Sequence, residues 1–352
     1  MARVLVINHP ESDYGATFLY NGLCRVLGAE NVYDYPIKYS YHGVNHEYST
    51  PSIARGFTSP LPWMPAYPIA WGEEAASDGV ALMEAVRRGL RDGFFDLVVV
   101  ESMRPMAMSA ARGVWDWVKR SGVPRVVHEG EDFQQFCVAQ LKELEPTLHL
   151  KREVSRRRPQ SCDWPVVPFP FSFPDTDRTL AEITTQVAQD VDVSFMCGGT
   201  WDYRFDVLRA LDEAVDLSVG LGTSQRERLP NSVRVYDLKD WWTYLDAMQR
   251  SSVAVSVRGF GHDTCRYWEA AAASLLAHDR IDLDIPNDYE PNVDCVQFDG
   301  PQELVEKLRH VLSPGVRDQY EVMREACRAK TMRYHTNSAR ARMMLERAGV
   351  HP

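Results

Sequence analysis

Short apolar runs alternate along this chain with stretches of helical period, and that alternation predicts parallel strands joined by helices. The first run, RVLVIN at 3–8, is β-branched and apolar throughout, as a strand covered on both faces should be. The loop HPESDYG follows, then an amphipathic helix near 16–27. NVYDY at 31–35, DLVVVES at 96–102 and PRVVHEG at 124–130 read as further strands, separated by helices near 79–92, 111–121 and 132–145. Residues 36–78 break the rhythm. They are rich in Pro, Tyr and Trp and follow neither period. An insert this long is usually functional or disordered, and its aromatic content speaks against plain disorder. A binding loop and a packed excursion without chemistry both fit.

The rhythm restarts after the proline-rich PVVPFPFSFPDTDRTL, which suggests a linker at 171–190. DVSFMCGGTWDYRFDVLRAL at 192–211 reads as strand, Gly-Gly loop and helix; 216–222, 233–237, 252–257 and 294–298 read as strands, and 301–349 is almost wholly helical. The expected division is therefore 1–170, then 191–330, with a terminal helix at 331–352 crossing back to the first domain. Two doubly wound α/β domains of this kind bind ligands in a cleft, at the carboxyl ends of their strands.

A chain of 352 residues is long for one core and comfortable for two domains. A formal net charge of −10 argues against a protein whose main task is to hold nucleic acid. Two basic stretches, LKREVSRRR at 150–158 and the run from Arg324 to Arg342, read as solvated helix faces. Seven scattered cysteines contain no CxxC pair, which fits reduced thiols in a cytoplasm. The N-terminal apolar run is too short for a signal peptide, and no run of about 18 apolar residues is present to span a membrane.

The stretch VRGFGHDTCRYWEAAAASLL carries the most chemistry. Arg258 ends a strand, and Gly259 and Gly261 open the loop that follows. Asp263 or Thr264 can cap the next helix. Arg266 and Glu269 are three apart and share a face, while Cys265, Trp268, Ala272 and Leu275 form an inward face. The glycines, the arginines and the helix N-terminus suit a diphosphate. The Glu269 carboxylate suits a ribose diol, because it can accept two hydroxyl hydrogen bonds. Gly198 and Gly199 repeat the theme after an earlier strand, with Arg204 one turn on. The plainer readings are a simple Gly-Gly turn and a surface Arg266–Glu269 pair of little energetic worth.

On these residues the C-terminal half resembles the donor domain of GT-B glycosyltransferases, in particular the CgeB-like, spore-maturation-type branch. The resemblance runs through DVSFMCGGTWDYRFDVLRAL, the WEAAA helix, VQFDGPQELVEKLRHVL and MRYHTNSARARMMLERA, covering about 165–350. It implies a metal-independent transfer of sugar from a nucleoside-diphosphate sugar, UDP-sugar first among them, to an acceptor hydroxyl, with Glu269 on the donor ribose. The acceptor would be a small molecule, a glycan or a protein, and the insert at 36–78 would lie on the acceptor side. Many relatives carry a second glutamate eight residues earlier, where this chain has Gly261; Asp263 is a candidate substitute.

Inversion at the sugar needs a base, whereas retention needs no obvious one; the N-terminal domain offers two places for a base. One is the first loop, with His9, Glu11, Asp13 and Gly15; the other is the loop with His128, Glu129, Glu131 and Asp132. Asp13 ranks first and Asp132 second, each against the plainer reading of a helix cap. His42 and His46 are four apart in the irregular insert and are not read as a metal pair. A glycosyltransferase acting on hydroxymethylated phage DNA and a non-catalytic nucleotide-binding protein of the same fold are the competing readings. A dinucleotide oxidoreductase is disfavoured, because no GxGxxG follows the first strand.

Overall fold

The structure is a computed structural model and describes residues 1–9, 13–43, 63–76, 78–157, 163–184, 187–197, 202–223, 234–235 and 241–352. The chain divides into two compact units: Met1–Pro174 with Leu283–Ile285 and Thr336–Pro352, and Asp175–Asp282 with Pro286–His335.

In the first unit β1 (Val4–Ile7) leads to α1 (Tyr14–Leu27) and β2 (Val32–Tyr35), then α2 (Glu73–Ala76), α3 (Gly79–Arg91) and β3 (Leu97–Val100). There follow α4 (Pro105–Ser121), β4 (Arg125–Glu129), α5 (Val138–Leu144), β5 (Leu148–Lys151) and β6 (Val166–Pro168). The sheet order is β2-β1-β3-β4-β5-β6, and every pairing is parallel. All eight residues of β1 and β3 have no exposed surface, which is why these runs are purely aliphatic.

The second unit begins with α6 (Asp177–Thr184), which occupies part of the stretch the sequence suggests as linker and buries Thr179 and Ile183. β7 (Val191–Cys197), α7 (Asp202–Glu213), β8 (Val219–Thr223), β9 (Arg234–Val235), α8 (Trp241–Gln249) and β10 (Ser251–Ser256) come next. Then come α9 (Cys265–Ala273), β11 (Leu275–Asp279), β12 (Val296–Phe298), α10 (Pro301–Val311) and α11 (Arg317–Tyr334). This sheet is also parallel throughout, in the order β12-β11-β10-β7-β8-β9. The closing helix α12 (Asn337–Arg347) belongs to the first unit and packs on α1.

Several expectations need correction. LKRE holds the end of a strand instead of a solvated helix face: β5 ends in Lys151, and Lys151 and Arg152 are 0% and 4% exposed. The helix expected at 132–145 spans only Val138–Leu144, and Glu145 stops it at φ 45°. Leu275 does not continue the WEAAA helix but opens β11, paired with Val253 of β10. An alanine run followed by LLAHD has helical propensity throughout, and only the sheet decides where the helix ends. The described flanks of the 36–78 insert pack inward: Tyr41 stacks on Tyr20 at 4.0 Å, and Tyr41 and Trp63 are buried.

Contact between α1 and α12 rests on a glycine. A Cβ added at Gly22 would stand 2.2 Å from the backbone oxygen of Asn337 and 2.7 Å from its carbonyl carbon. Asn337 cannot yield easily, since its amide donates to Phe173 O at 2.9 Å and its side chain bonds Asn21 at 2.8 Å. Gly22→Ala is expected to destabilise the first unit by about 1–3 kcal/mol through overpacking, seen as a lower urea midpoint. Gly113→Ala is the control, because the nearest atom to its added methyl is Tyr35 Oη at an ordinary 3.7 Å.

Candidate functional site

Each sheet has one place where neighbouring strands send the chain in opposite directions, and ligands of open α/β sheets bind at such switch points. In the second unit it lies between β7 and β10. The loop with Gly198 and Gly199 follows β7 and lies outside the described residues, so the expectation for those two glycines has no structural counterpart here. The loop after β10 is described. Gly259 donates its N–H to Gly261 O at 3.0 Å, and a Cβ at Gly259 would approach Arg204 Nη2 to 3.0 Å. A glycine at position 259 thus lets the arginine reach across the loop.

Three arginines converge there. Arg204, on the first turn of α7, is 8% exposed and donates from Nε to Arg258 O at 3.3 Å. Arg258 is half exposed; its amide donates to Asp279 Oδ1 at 3.1 Å, and its guanidinium lies 3.5 Å from the same carboxylate. Nε and Nη1 of Arg266 are buried and have no hydrogen-bond partner among the described residues. Burial, and then the neighbouring Arg266 charge, pull the Arg204 guanidinium down to about 10. Burial pushes the Asp279 carboxyl up to about 6 against the pull of Arg258. Two guanidinium groups that repel one another, one with buried and unsatisfied N–H groups, make a site that an anion would complete.

Glu269 departs from the sequence reading. It is 7% exposed and does not share a solvent face with Arg266. Tyr244 Oη donates to its Oε2 at 2.6 Å and Trp241 Nε1 to its Oε1 at 3.3 Å. Burial raises its carboxyl above the ordinary range, while Tyr244, Trp241 and Arg266 oppose that rise. Each carboxylate oxygen keeps a second lone pair for a ligand hydroxyl. The helix N-cap is Thr264 and makes no side-chain cap bond, and its Oγ1 sits 3.3 Å from Ser256 Oγ. Asp263 is buried and accepts from Trp268 Nε1 at 2.8 Å, so it ties the loop to the helix interior instead of capping. Gly261 is buried beside it. Ala270, Ala271 and Ala272 are buried to within 1% and let α9 lie close on β10 and β11. Trp241, Tyr244 and Asp279 escaped the sequence reading; the only cue was the aromatic WWTY cluster, which reads equally well as core.

In the first unit the switch point lies between β1 and β3. Asp13 is the N-cap of α1 and accepts from Ala16 N at 3.0 Å. Its Oδ2 lies 3.7 Å from His9 Nε2 and 3.5 Å from Arg104 Nη2. Burial works to raise this carboxyl, but His9, the Arg104 charge, the Ala16 N–H and Lys38 together hold it far below the carboxylate range. His9 is fully buried, and neither ring nitrogen has a hydrogen-bond partner among the described residues. Glu11 lies outside the described residues. A Cβ at Gly15 would come within 2.9 Å of His128 Cε1, so the helix start and the β4 end are in contact. Burial pushes His128 down to about 4, which leaves it uncharged at neutral pH. Behind them, Glu101 accepts from Tyr41 at 3.0 Å, and burial raises its carboxyl to about 8.

The second acidic loop is different. Glu129 is wholly buried and accepts from His149 and Lys151 at 2.9 Å and from Cys137 N at 3.0 Å. Glu131 lies 3.8 Å from Arg104. Asp132 is 57% exposed, paired with Arg152, and caps no helix, because α5 starts only at Val138. His42 is held between Asp34 at 3.2 Å and Tyr67 O at 2.9 Å, and His46 lies outside the described residues.

Residues 187–346 match the family described as glycosyl transferase-like. No curated protein matches the chain. Among solved structures, HepE of Anabaena in complex with UDP is similar over 98% of both chains, with a TM-score of 0.60 and 11% identity. The same protein has also been solved with UDP-glucose. A glycosyltransferase of Rickettsia africae gives a TM-score of 0.58 at 10% identity over 99% of this chain and 98% of that one. Sucrose-phosphate synthase of Thermosynechococcus elongatus gives 0.55 at 12% over 98% of both. The fold is thus the GT-B fold of these glycosyltransferases. Among the described residues, no helix is long and apolar enough to cross a membrane.

Proposed function

We propose that this chain transfers a sugar from a nucleoside-diphosphate sugar to an acceptor hydroxyl. One observation carries the reading: Arg266 presents buried N–H groups with no partner among the described residues beside Arg204, at the switch point of the second sheet. In this reading the two guanidinium groups hold the diphosphate, and their charge, not a metal ion, stabilises it as it departs. Glu269 receives the ribose hydroxyls. The Asp13–His9 pair at the first switch point binds the acceptor hydroxyl and takes its proton. Asp132, engaged by Arg152 at the surface, takes no part. UDP is the nucleotide proposed, in line with the HepE complexes, and the acceptor is a hydroxyl of a small molecule, glycan or protein. The DNA reading gains nothing from Lys151 and Arg152 of the basic stretch at 150–158, since both are buried.

The test is thermal unfolding with UDP, GDP, ADP, CMP and TDP, each with magnesium and with EDTA. UDP at about 100 times its dissociation constant is expected to add roughly 2.7 kcal/mol of stability in both conditions. No shift with any nucleotide would overturn the proposal. A shift that needs magnesium would remove the arginine-only account of the leaving group.

A further inference from the structure

An arginine and a glutamate three residues apart on a helix ordinarily pair. On α9 they do not. Glu269 accepts from Tyr244 and Trp241 of α8, while Nε and Nη1 of Arg266 stay buried without a hydrogen-bond partner among the described residues. The two side chains are still close enough for the Arg266 charge to act on the Glu269 carboxyl. Such an arrangement is costly on its face, because a partly buried guanidinium gains most from a bidentate carboxylate. It persists because the carboxylate is held from the other side by two donors that are themselves buried, Trp241 at 2% and Tyr244 at 9% exposure. Trp241 and Tyr244 are one turn apart on α8 and so reach the same carboxylate from one face.

We infer that Tyr244, with Trp241, is a positioning residue that keeps Glu269 off Arg266 and so leaves the guanidinium free for an anion. This rests on the nucleotide reading of the site. It assigns to α8 a role in diphosphate affinity through residues that need not touch the diphosphate. Without the Tyr244 hydroxyl, the Glu269 carboxylate swings to Arg266 and competes with the ligand. Neutralising Glu269 removes the competitor.

The inference is tested by calorimetric titration of inorganic pyrophosphate and of UDP into the parent, Tyr244→Phe, Glu269→Gln and the double variant. The parent is expected to bind pyrophosphate, and Tyr244→Phe to bind it about tenfold more weakly, the scale of one charge-assisted contact. Glu269→Gln should keep pyrophosphate affinity while losing UDP affinity, since the ribose contact is weakened. The double variant should regain pyrophosphate binding to within about twofold of Glu269→Gln, a coupling that a merely structural tyrosine would not give. Unchanged pyrophosphate binding in Tyr244→Phe, or a double variant no better than Tyr244→Phe, would overturn the inference while leaving the site reading intact. A parent that binds no pyrophosphate would overturn both.

Discussion

Arg266→Ala is expected to weaken UDP binding by about 10- to 100-fold, the loss of one or two charge-assisted hydrogen bonds to a phosphate. The same change should leave the unliganded chain as stable as the parent or slightly more so. The reason lies in the unliganded site. Nε and Nη1 of Arg266 are buried with no partner among the described residues, and its charge sits beside that of Arg204, whose own ionisation it helps to depress. A residue with unsatisfied polar atoms and a like-charged neighbour contributes strain to the free protein, and its removal relieves that strain. Sites kept for binding at the expense of stability behave in this way. Arg266→Lys should recover part of the affinity, because a point charge replaces the charge but not the planar fork. Calorimetry with UDP and thermal unfolding without it decide the matter together. Undiminished UDP affinity would show that the diphosphate lies elsewhere. A strongly destabilised free protein would show that Arg266 holds the fold instead of the ligand.

The strands that build both switch points were legible because their side chains are apolar on both faces: VLVI, LVVV and SVAVS admit few other readings. The arginines were legible too, since Arg258 and Arg266 bracket a glycine loop after such a strand. What remained hidden depends on tertiary partners. Lys151 ends a buried strand only because Glu129, Phe133 O and Gln135 O take its ammonium group, and nothing local announces that. In LKREVSRRR the charge count pointed to solvent; the partners reversed it at Lys151 and Arg152, while Arg156 and Arg157 are exposed. Glu269 was placed on a polar face by its spacing from Arg266, yet α8, some twenty residues upstream, supplies the two donors that draw it inward. The end of α9 was hidden for a different reason. Ala273 and Leu275 are both good helix formers, and only pairing with Val253 makes Leu275 a strand residue.

Asp13→Asn should lower the rate of sugar transfer by about 100-fold or more, within the range that positioned acid–base groups supply, and leave UDP affinity unchanged. Asparagine is chosen because Asp13 has a second duty. Its Oδ1 caps α1 through Ala16 N, and asparagine caps a helix about as well as aspartate. The substitution therefore removes the charge and spares the helix. The charge matters because His9, Arg104, the helix N-terminus and Lys38 all favour the ionised form, against burial. The sign of the pH dependence follows. A carboxyl held far below its ordinary range stays ionised as the pH falls through 5 and 4, so Asp13 itself should impose no loss of rate there. Rates are measured as UDP release from UDP-glucose, with water or an added alcohol as acceptor, across that pH range. A transfer rate in Asp13→Asn equal to the parent's, with α1 intact by circular dichroism, would remove Asp13 from the chemistry and return the search for the base to the residues around His128.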